Sequence, residues 1–288
     1  MYAPQFDYYR ASSVADARRL LAARPGAKLI AGGHSLIPLL RLRLTAPAAL
    51  VDIGRIAELK LLTAEDGGLR IGALTTHAEI AASALVQGSC PVLAEAAARI
   101  GDPAVRNRGT IGGSLAHADP GSDLPTVLTA LDARLMVEGE GGVKTLVVDT
   151  FFQGLMTTAL GPSDLLTAIW VPSLGGGRGA AYEKFPHPAS RYAVIGAAAS
   201  IEARDGSCVR ARVAVGGLVP KPTRLRSVES ALEGKALSAD LASKAAAGAA
   251  SDLGGDVIGD IFASADYRRG VVAAYVQRAV AAAIERTR

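Results

Sequence analysis

The chain has 288 residues, of which 50% are hydrophobic and 20% charged, with a formal net charge of +4. That length supplies one large domain or two modest ones with their own cores, and the composition excludes a disordered chain. The basic residues are scattered, without a stripe of Lys and Arg interleaved with aromatics, so nucleic acid is not an expected partner.

Residues 14–21 form an amphipathic run that Ser12 and Ser13 precede as caps and Pro25-Gly26 ends, which predicts a helix. Residues 28–31 read as a short apolar strand broken by Gly32-Gly33. Residues 36–44 read as a helix, with Ser35 as N-cap and Pro38 tolerated in the first turn. Strands follow at 49–53 and 69–73, then a helix from the caps Thr75 and Thr76 to about residue 84. Residues 91–100 are helical by composition and periodicity and give way to a glycine-bearing loop, 109–114. Ser122 and Asp123 cap a helix over 124–131. The segments 135–137 and 145–148 flank a glycine-rich turn as a hairpin, and a strand at 165–171 closes this region.

Gly175-Gly176-Gly177 fits a boundary or a tight turn. Beyond it lie strand candidates at 180–185, 192–203 and 209–215, the last two joined by the hairpin signal Asp205-Gly206. Helices complete the chain at 224–233, 238–253 and 267–286, the last with an apolar stripe suited to packing on the preceding sheet. The order of elements fits an α+β fold better than a doubly wound sheet.

Residues 1–7 lack the basic-then-apolar pattern of a secretory signal, and the most apolar stretch, 192–201, is shorter than the ~20 residues that cross a bilayer. A cytoplasmic protein without a membrane span is expected. Cys90 and Cys208 are far apart, and His34, His77, His117 and His187 show no ligand spacing. Neither an iron–sulfur cluster nor another metal site is expected in this chain, and redox chemistry here would need an organic cofactor.

Two glycine-centred segments carry the chemistry: Ala31-Gly32-Gly33-His34-Ser35 and Thr110-Ile111-Gly112-Gly113-Ser114. Missing Cβ atoms let backbone amides approach an anion, helix termini add a favourable dipole, and Ser35 and Ser114 can donate to phosphate oxygens. Two such loops suit a pyrophosphate gripped from two sides, although a Gly-Gly pair by itself also fits a plain turn. Neither segment matches G-x-G-x-x-G or the P-loop pattern.

These two segments, followed by Ala118-Asp119-Pro120-Gly121-Ser122-Asp123-Leu124-Pro125, resemble the FAD-binding medium subunit of molybdenum hydroxylases, the family of carbon monoxide dehydrogenase and of the flavin part of xanthine dehydrogenase. The resemblance runs from Phe6-Asp7-Tyr8 through Tyr182-Glu183-Lys184-Phe185 to the C-terminal helices. It implies a two-part FAD-binding region of the PCMH type at 1–175, with subdomains at about 1–56 and 57–175, and a C-terminal α+β domain at 178–288 built on a three-stranded sheet with helices.

The resemblance further implies that Lys28, Leu29, Ile30, Ala31, Gly32, Gly33, His34 and Ser35 wrap the pyrophosphate and ribityl region of FAD. Thr110, Ile111, Gly112, Gly113 and Ser114 would clamp the diphosphate from the other side. Asp123 would bind a polar group of the cofactor, a plain helix cap being the alternative. Lys184 would reach the flavin ring or ribityl chain, Tyr192 would lie near one face of the ring and gate it, and Leu165 or Leu166 would contact adenine or the ring edge. Lys184 and Tyr192 are thus the residues nearest the chemistry. His34 is expected to hold the flavin without a covalent bond, and His77, His117 and His187 to be ordinary loop or cap residues.

The implied role is an electron relay. A large partner with molybdenum cofactor hydroxylates a small substrate, a small partner with [2Fe-2S] clusters carries electrons here, and FAD passes them to a terminal acceptor; a dimer of heterotrimers is the implied assembly. A self-sufficient flavin oxidoreductase is the alternative, with Tyr192 and Lys184 as its acid–base candidates. An assembly subunit without flavin is a third reading, opposed by the intact glycine pairs.

Overall fold

In a computed structural model of the chain, residues 2–288 are described; Met1, with which the expected 1–175 domain begins, lies outside them. The first part is built from the parallel strands Asp7–Arg10, Lys28–Ile30 and Ala49–Asp52, with the third strand between the other two. Parallel neighbours need crossover connections, and the helices Val14–Ala22 and Leu36–Arg41 provide them. The first is started by Ser13, whose hydroxyl accepts the Asp16 amide at 3.1 Å.

Five antiparallel strands form the next sheet in the order Leu62–Glu65, Gly68–Gly72, Leu165–Pro172, Arg134–Gly139, Gly142–Val147. Its core includes the buried faces of the helices Pro91–Ala98, Ile111–His117 and Asp123–Ala130. The last sheet has three long antiparallel strands, Arg178–Pro186, Ala193–Arg204 and Ser207–Gly216, and a short fourth one, Thr223–Arg224, beyond the three expected. Strand alternation divides its side chains: Ala180, Tyr182, Ala198 and Ala214 join the core of the five-stranded part. Ala181, Ala197, Val213 and Val215 instead face the C-terminal helices, among them Ala265–Glu285.

Local differences from expectation have local causes. The helix at 36 stops at Arg41, because the chain turns through Arg43 in the left-handed region (φ 59°). The run after Thr76 splits into His77–Ala82 and Ala84–Ser89 at Ser83, whose extended backbone (ψ 117°) ends one helix while its hydroxyl caps the next. The C-terminal run from Ser238 is helical over Ala239–Ala246 and resumes as a 3-10 turn at Ala249–Leu253. The strands Asp7–Arg10 and Leu62–Glu65, too polar to carry an apolar pattern, escape a reading by hydrophobicity. Among the described residues, no helix is long and apolar enough to cross a membrane.

Candidate functional site

The first glycine segment joins the strand Lys28–Ile30 to the helix Leu36–Arg41. Gly33 has φ +76°, a left-handed conformation that glycine adopts freely. The amides of Gly32, Gly33, His34, Ser35 and Leu36 have no acceptor among the described residues. Ser35 makes no capping bond, so its hydroxyl is not committed to the helix it starts. Successive unpaired amides at the mouth of a helix form a concavity for an anion. Lys28 and His34 are exposed at its rim, and Leu29, Ile30 and Ala31 are half-buried beneath it.

Gly32 is where this segment meets the second. A Cβ on Gly32 would lie 2.6 Å from the carbonyl carbon of Arg108 and closer still to its oxygen. The second segment is a helix where a loop was expected, Ile111–His117, and Thr110 is its N-cap, accepting the Gly113 amide at 3.1 Å. The first amides of this helix are already engaged: Ile111 donates to the Thr75 carbonyl at 3.0 Å and Gly112 to that of Ala73 at 2.9 Å. A Cβ on Gly112 would sit 2.7 Å from the Ala73 oxygen, so this glycine seats the helix on the sheet. Gly113 and Ser114 remain accessible, whereas the Ile111 side chain is buried. Amide donation from 111–113, expected from sequence, is therefore replaced by an open Cα at Gly113 and a hydroxyl at Ser114.

The third element is the turn after that helix, which ends with Ala118 at φ 54°. Asp119 accepts the Gly121 amide at 2.8 Å, and Gly121 and Pro120 accept the amides of Ala193 (3.0 Å) and Gly217 (2.8 Å) from the last sheet. Tyr192 lies on Gly121, where a Cβ would be 3.0 Å from the ring, and its phenol senses Ser35. Burial pushes the Tyr192 phenol above its ordinary pKa; Asp119 adds to this, the Ser35 hydroxyl opposes it, and Asp123 adds again. With 43% of its surface exposed, Tyr192 stands at the edge of the concavity formed by the first segment.

Asp123 and Lys184 sit deeper. Asp123 opens the helix Asp123–Ala130, yet neither it nor Ser122 makes a capping bond; the carboxylate accepts the Tyr182 hydroxyl at 2.6 Å and the Lys184 ammonium at 2.9 Å. The side chains of Lys184 and Asp123 are 2% and 5% exposed. Burial holds the Asp123 carboxyl above its ordinary pKa against the opposing pull of Lys184 and Tyr182. Lys184 therefore does not extend outward to a ring: its ammonium is committed to Asp123, with the Arg99 carbonyl at 3.4 Å. Leu165 and Leu166 likewise bury their side chains, Leu165 with Val14, Leu20 and Leu59, and Leu166 with the core of the five-stranded part. That leaves only their backbone for the expected adenine or ring-edge contact.

Arg108 escapes a sequence reading because its contact with Gly32 is distant in the chain, whereas Asp119 and Gly121 lie in the segment that carries the resemblance without showing there what they touch. The His77 imidazole lies 2.8 Å from where a Gly109 Cβ would be, its Nδ1 is buried without a partner, and burial lowers its pKa to about 4. Among the described residues, no group of three or more His, Cys, Asp or Glu could hold a metal ion.

Comparison with known proteins identifies the family and the fold. A family model described as the FAD binding domain in molybdopterin dehydrogenase matches residues 4–174, and one described as the CO dehydrogenase flavoprotein C-terminal domain matches residues 180–283. The chain is 41% identical to the 6-hydroxypseudooxynicotine dehydrogenase complex subunit alpha of Paenarthrobacter nicotinovorans, over 100% of this chain and 97% of that protein. It is 38% identical to the carbon monoxide dehydrogenase medium chain of Hydrogenophaga pseudoflava, over 98% of each. A solved structure of carbon monoxide dehydrogenase from the same organism superimposes with a TM-score of 0.95 at 38% identity, covering 99% of both chains. The chain accordingly belongs to the FAD-binding medium subunits of the molybdenum hydroxylases, a family of oxidoreductases, and FAD is its cofactor.

Proposed function

We propose that this chain is the flavin relay of a cytoplasmic complex. A large subunit would carry molybdenum cofactor and a small subunit [2Fe-2S] clusters, assembled as a dimer of heterotrimers, with electrons passing through this chain to a terminal acceptor. Two functional units, 1–175 (subdomains at about 1–56 and 57–175) and 178–288, would divide the work. The observation that carries the reading is the run of five unpaired amides from Gly32 to Leu36, in contact with Arg108 through Gly32 and bordered by Tyr192.

FAD when bound supplies the redox chemistry, taking electrons singly and giving them up in pairs. The chain's residues bind and tune it. The amides of Gly32, Gly33, His34 and Ser35, with the Ser35 hydroxyl, would hold the diphosphate, and Gly113 and Ser114 would close on it from the second segment. Residues 28–31 would lie under the ribityl chain. Asp123 and Lys184 would act as a buried polar pair behind the cofactor, fixing the local field and presenting whichever carboxylate lone pair remains free. Tyr192 would cover one ring face and limit access to it. The engagement of Lys184 with Asp123 weakens the self-sufficient oxidoreductase, because it removes one of that reading's two acid–base candidates.

The test is native co-purification. The chain is expected to arrive with a large molybdenum-containing and a small iron–sulfur companion, and denaturation should release FAD rather than FMN. Substrate should bleach the flavin only when both companions are present. A chain that purifies alone and turns over a substrate unaided would overturn the relay.

A further inference from the structure

We infer that His187 is a positioning residue, whose imidazole closes the loop that presents Tyr192 to the flavin concavity. The loop 187–192 joins the strands Arg178–Pro186 and Ala193–Arg204. The His187 Nδ1 accepts the backbone amides of Ala189 at 3.2 Å and Ser190 at 3.3 Å. Two donors on one ring nitrogen fix it as the unprotonated one and leave the proton on Nε2. The backbone of the same residue closes the loop a second time: its amide donates to the Tyr192 carbonyl at 2.8 Å, and its carbonyl accepts the Arg191 amide at 2.8 Å. Arg191, at φ 59°, reverses the chain and delivers Tyr192 onto Gly121.

The ring is also braced from outside. It meets Phe262 edge-to-face at 4.8 Å between centroids. Asp260 holds Phe262 in place by accepting its amide and that of Ala263, each at 2.8 Å, and is paired with the buried Arg268 of the helix Ala265–Glu285. A continuous set of contacts thus runs from the C-terminal helix through Phe262 and His187 to Tyr192 and Ser35. Within the loop the Tyr192 amide also meets Ser190 Oγ at 3.4 Å, and the Tyr192 ring ties the loop outward to Gly121 and Ser35. This deepens the flavin reading and rests on it for what Tyr192 covers, whereas closure of the loop stands on the contacts themselves.

The test separates acceptor from packing. His187→Phe keeps an aromatic ring for Phe262 but removes the acceptor; His187→Asn restores a short acceptor for the amides two and three residues on, the geometry of an Asx turn. Hydrogen exchange on the full chain should show the amides of Ala189 and Ser190 exchanging on the order of tenfold faster in His187→Phe and near the wild-type rate in His187→Asn. In the purified complex, iodide should quench bound flavin more strongly in His187→Phe at unchanged FAD content, and His187→Asn should reverse this. Unchanged exchange in His187→Phe overturns the inference, as does failure of His187→Asn to restore it. A response of the amides without a response of iodide quenching overturns the link to Tyr192. If the wild-type complex holds no flavin, the FAD assignment fails instead, and the exchange experiment still decides the role of His187.

Discussion

Gly32→Ala is the most direct test of how the two glycine segments meet. The added Cβ would sit 2.6 Å from the carbonyl carbon of Arg108, so that carbon has to retreat about 0.8 Å merely to reach ordinary contact at 3.4 Å, and the nearer oxygen has to move further. The obstacle is backbone rather than the end of a flexible side chain, and Arg108 is tied in place because its amide donates to the Val105 carbonyl at 3.2 Å. Overpacking of this kind costs about 1–3 kcal/mol when the fold absorbs it. If the loops separate instead, the anion loses donors on one side. A loss of about 2.7 kcal/mol in cofactor binding corresponds to roughly a hundredfold weaker affinity. FAD content after gel filtration and the melting temperature with and without added FAD would be measured together. The expected result is loss of flavin, with a melt no more than a few degrees lower. Full FAD occupancy at wild-type stability would refute the contact between the segments as a determinant of binding.

Gly33→Ala should also lower FAD content, because it places a side chain at φ +76° at a cost of roughly 1–2 kcal/mol, whereas Gly113→Ala meets only the Thr110 cap oxygen and should cost about 1 kcal/mol; equal flavin loss in the two would show that the second segment contributes more than its geometry suggests. Asp123→Asn should destabilise the chain by about 3–5 kcal/mol in urea, because it strands the buried Lys184 ammonium, and Asp123→Asn combined with Lys184→Met should recover part of that; a single variant as stable as wild type would contradict the pairing. His77 should make the protein acid-sensitive. Its pKa is depressed from 6.5 to about 4 on folding, so its contribution is complete above pH 6.5 and is lost as pH falls towards 4, by about 3 kcal/mol in all. His77→Phe should flatten that part of the stability–pH curve, and an unchanged slope between pH 6.5 and 4 would argue against it.

Sequence legibility varied with the range of the interaction involved. Asp205-Gly206 reads as a hairpin because the turn needs positive φ at both positions, and the two residues adopt 51° and 75°. Ser13 and Thr76 were readable as caps because a cap acts within three residues. The segment 109–114 read as a loop because paired glycines usually break a helix. Here Gly112 is required for close approach to Ala73, a partner far away in the chain, and Thr110 supplies the cap that offsets the poor propensity. The glycine pair at 32–33 marks the turn with its unpaired amides but not the wall it touches, since nothing near Arg108 marks its carbonyl as the surface that Gly32 meets. Tyr192 and Asp123 entered through the family resemblance, and only folding showed that Lys184 turns inward to Asp123.

The neighbouring residues Leu165 and Leu166 enter two different hydrophobic clusters, one shared with the three-stranded part and one with the five-stranded part. Pleating sends adjacent side chains to opposite faces, so the start of this strand, at Leu165 and Leu166, is shared by both interiors. A slip of one residue would exchange a leucine between two cavities shaped for other contents, which fixes the register from both sides at once. It also makes the two interiors poor candidates for separate melting, because neither can open without stripping one face of the same strand. Native-state exchange of the amides along Leu165–Pro172 should therefore report a single opening event, with the parallel and antiparallel sheets losing protection together.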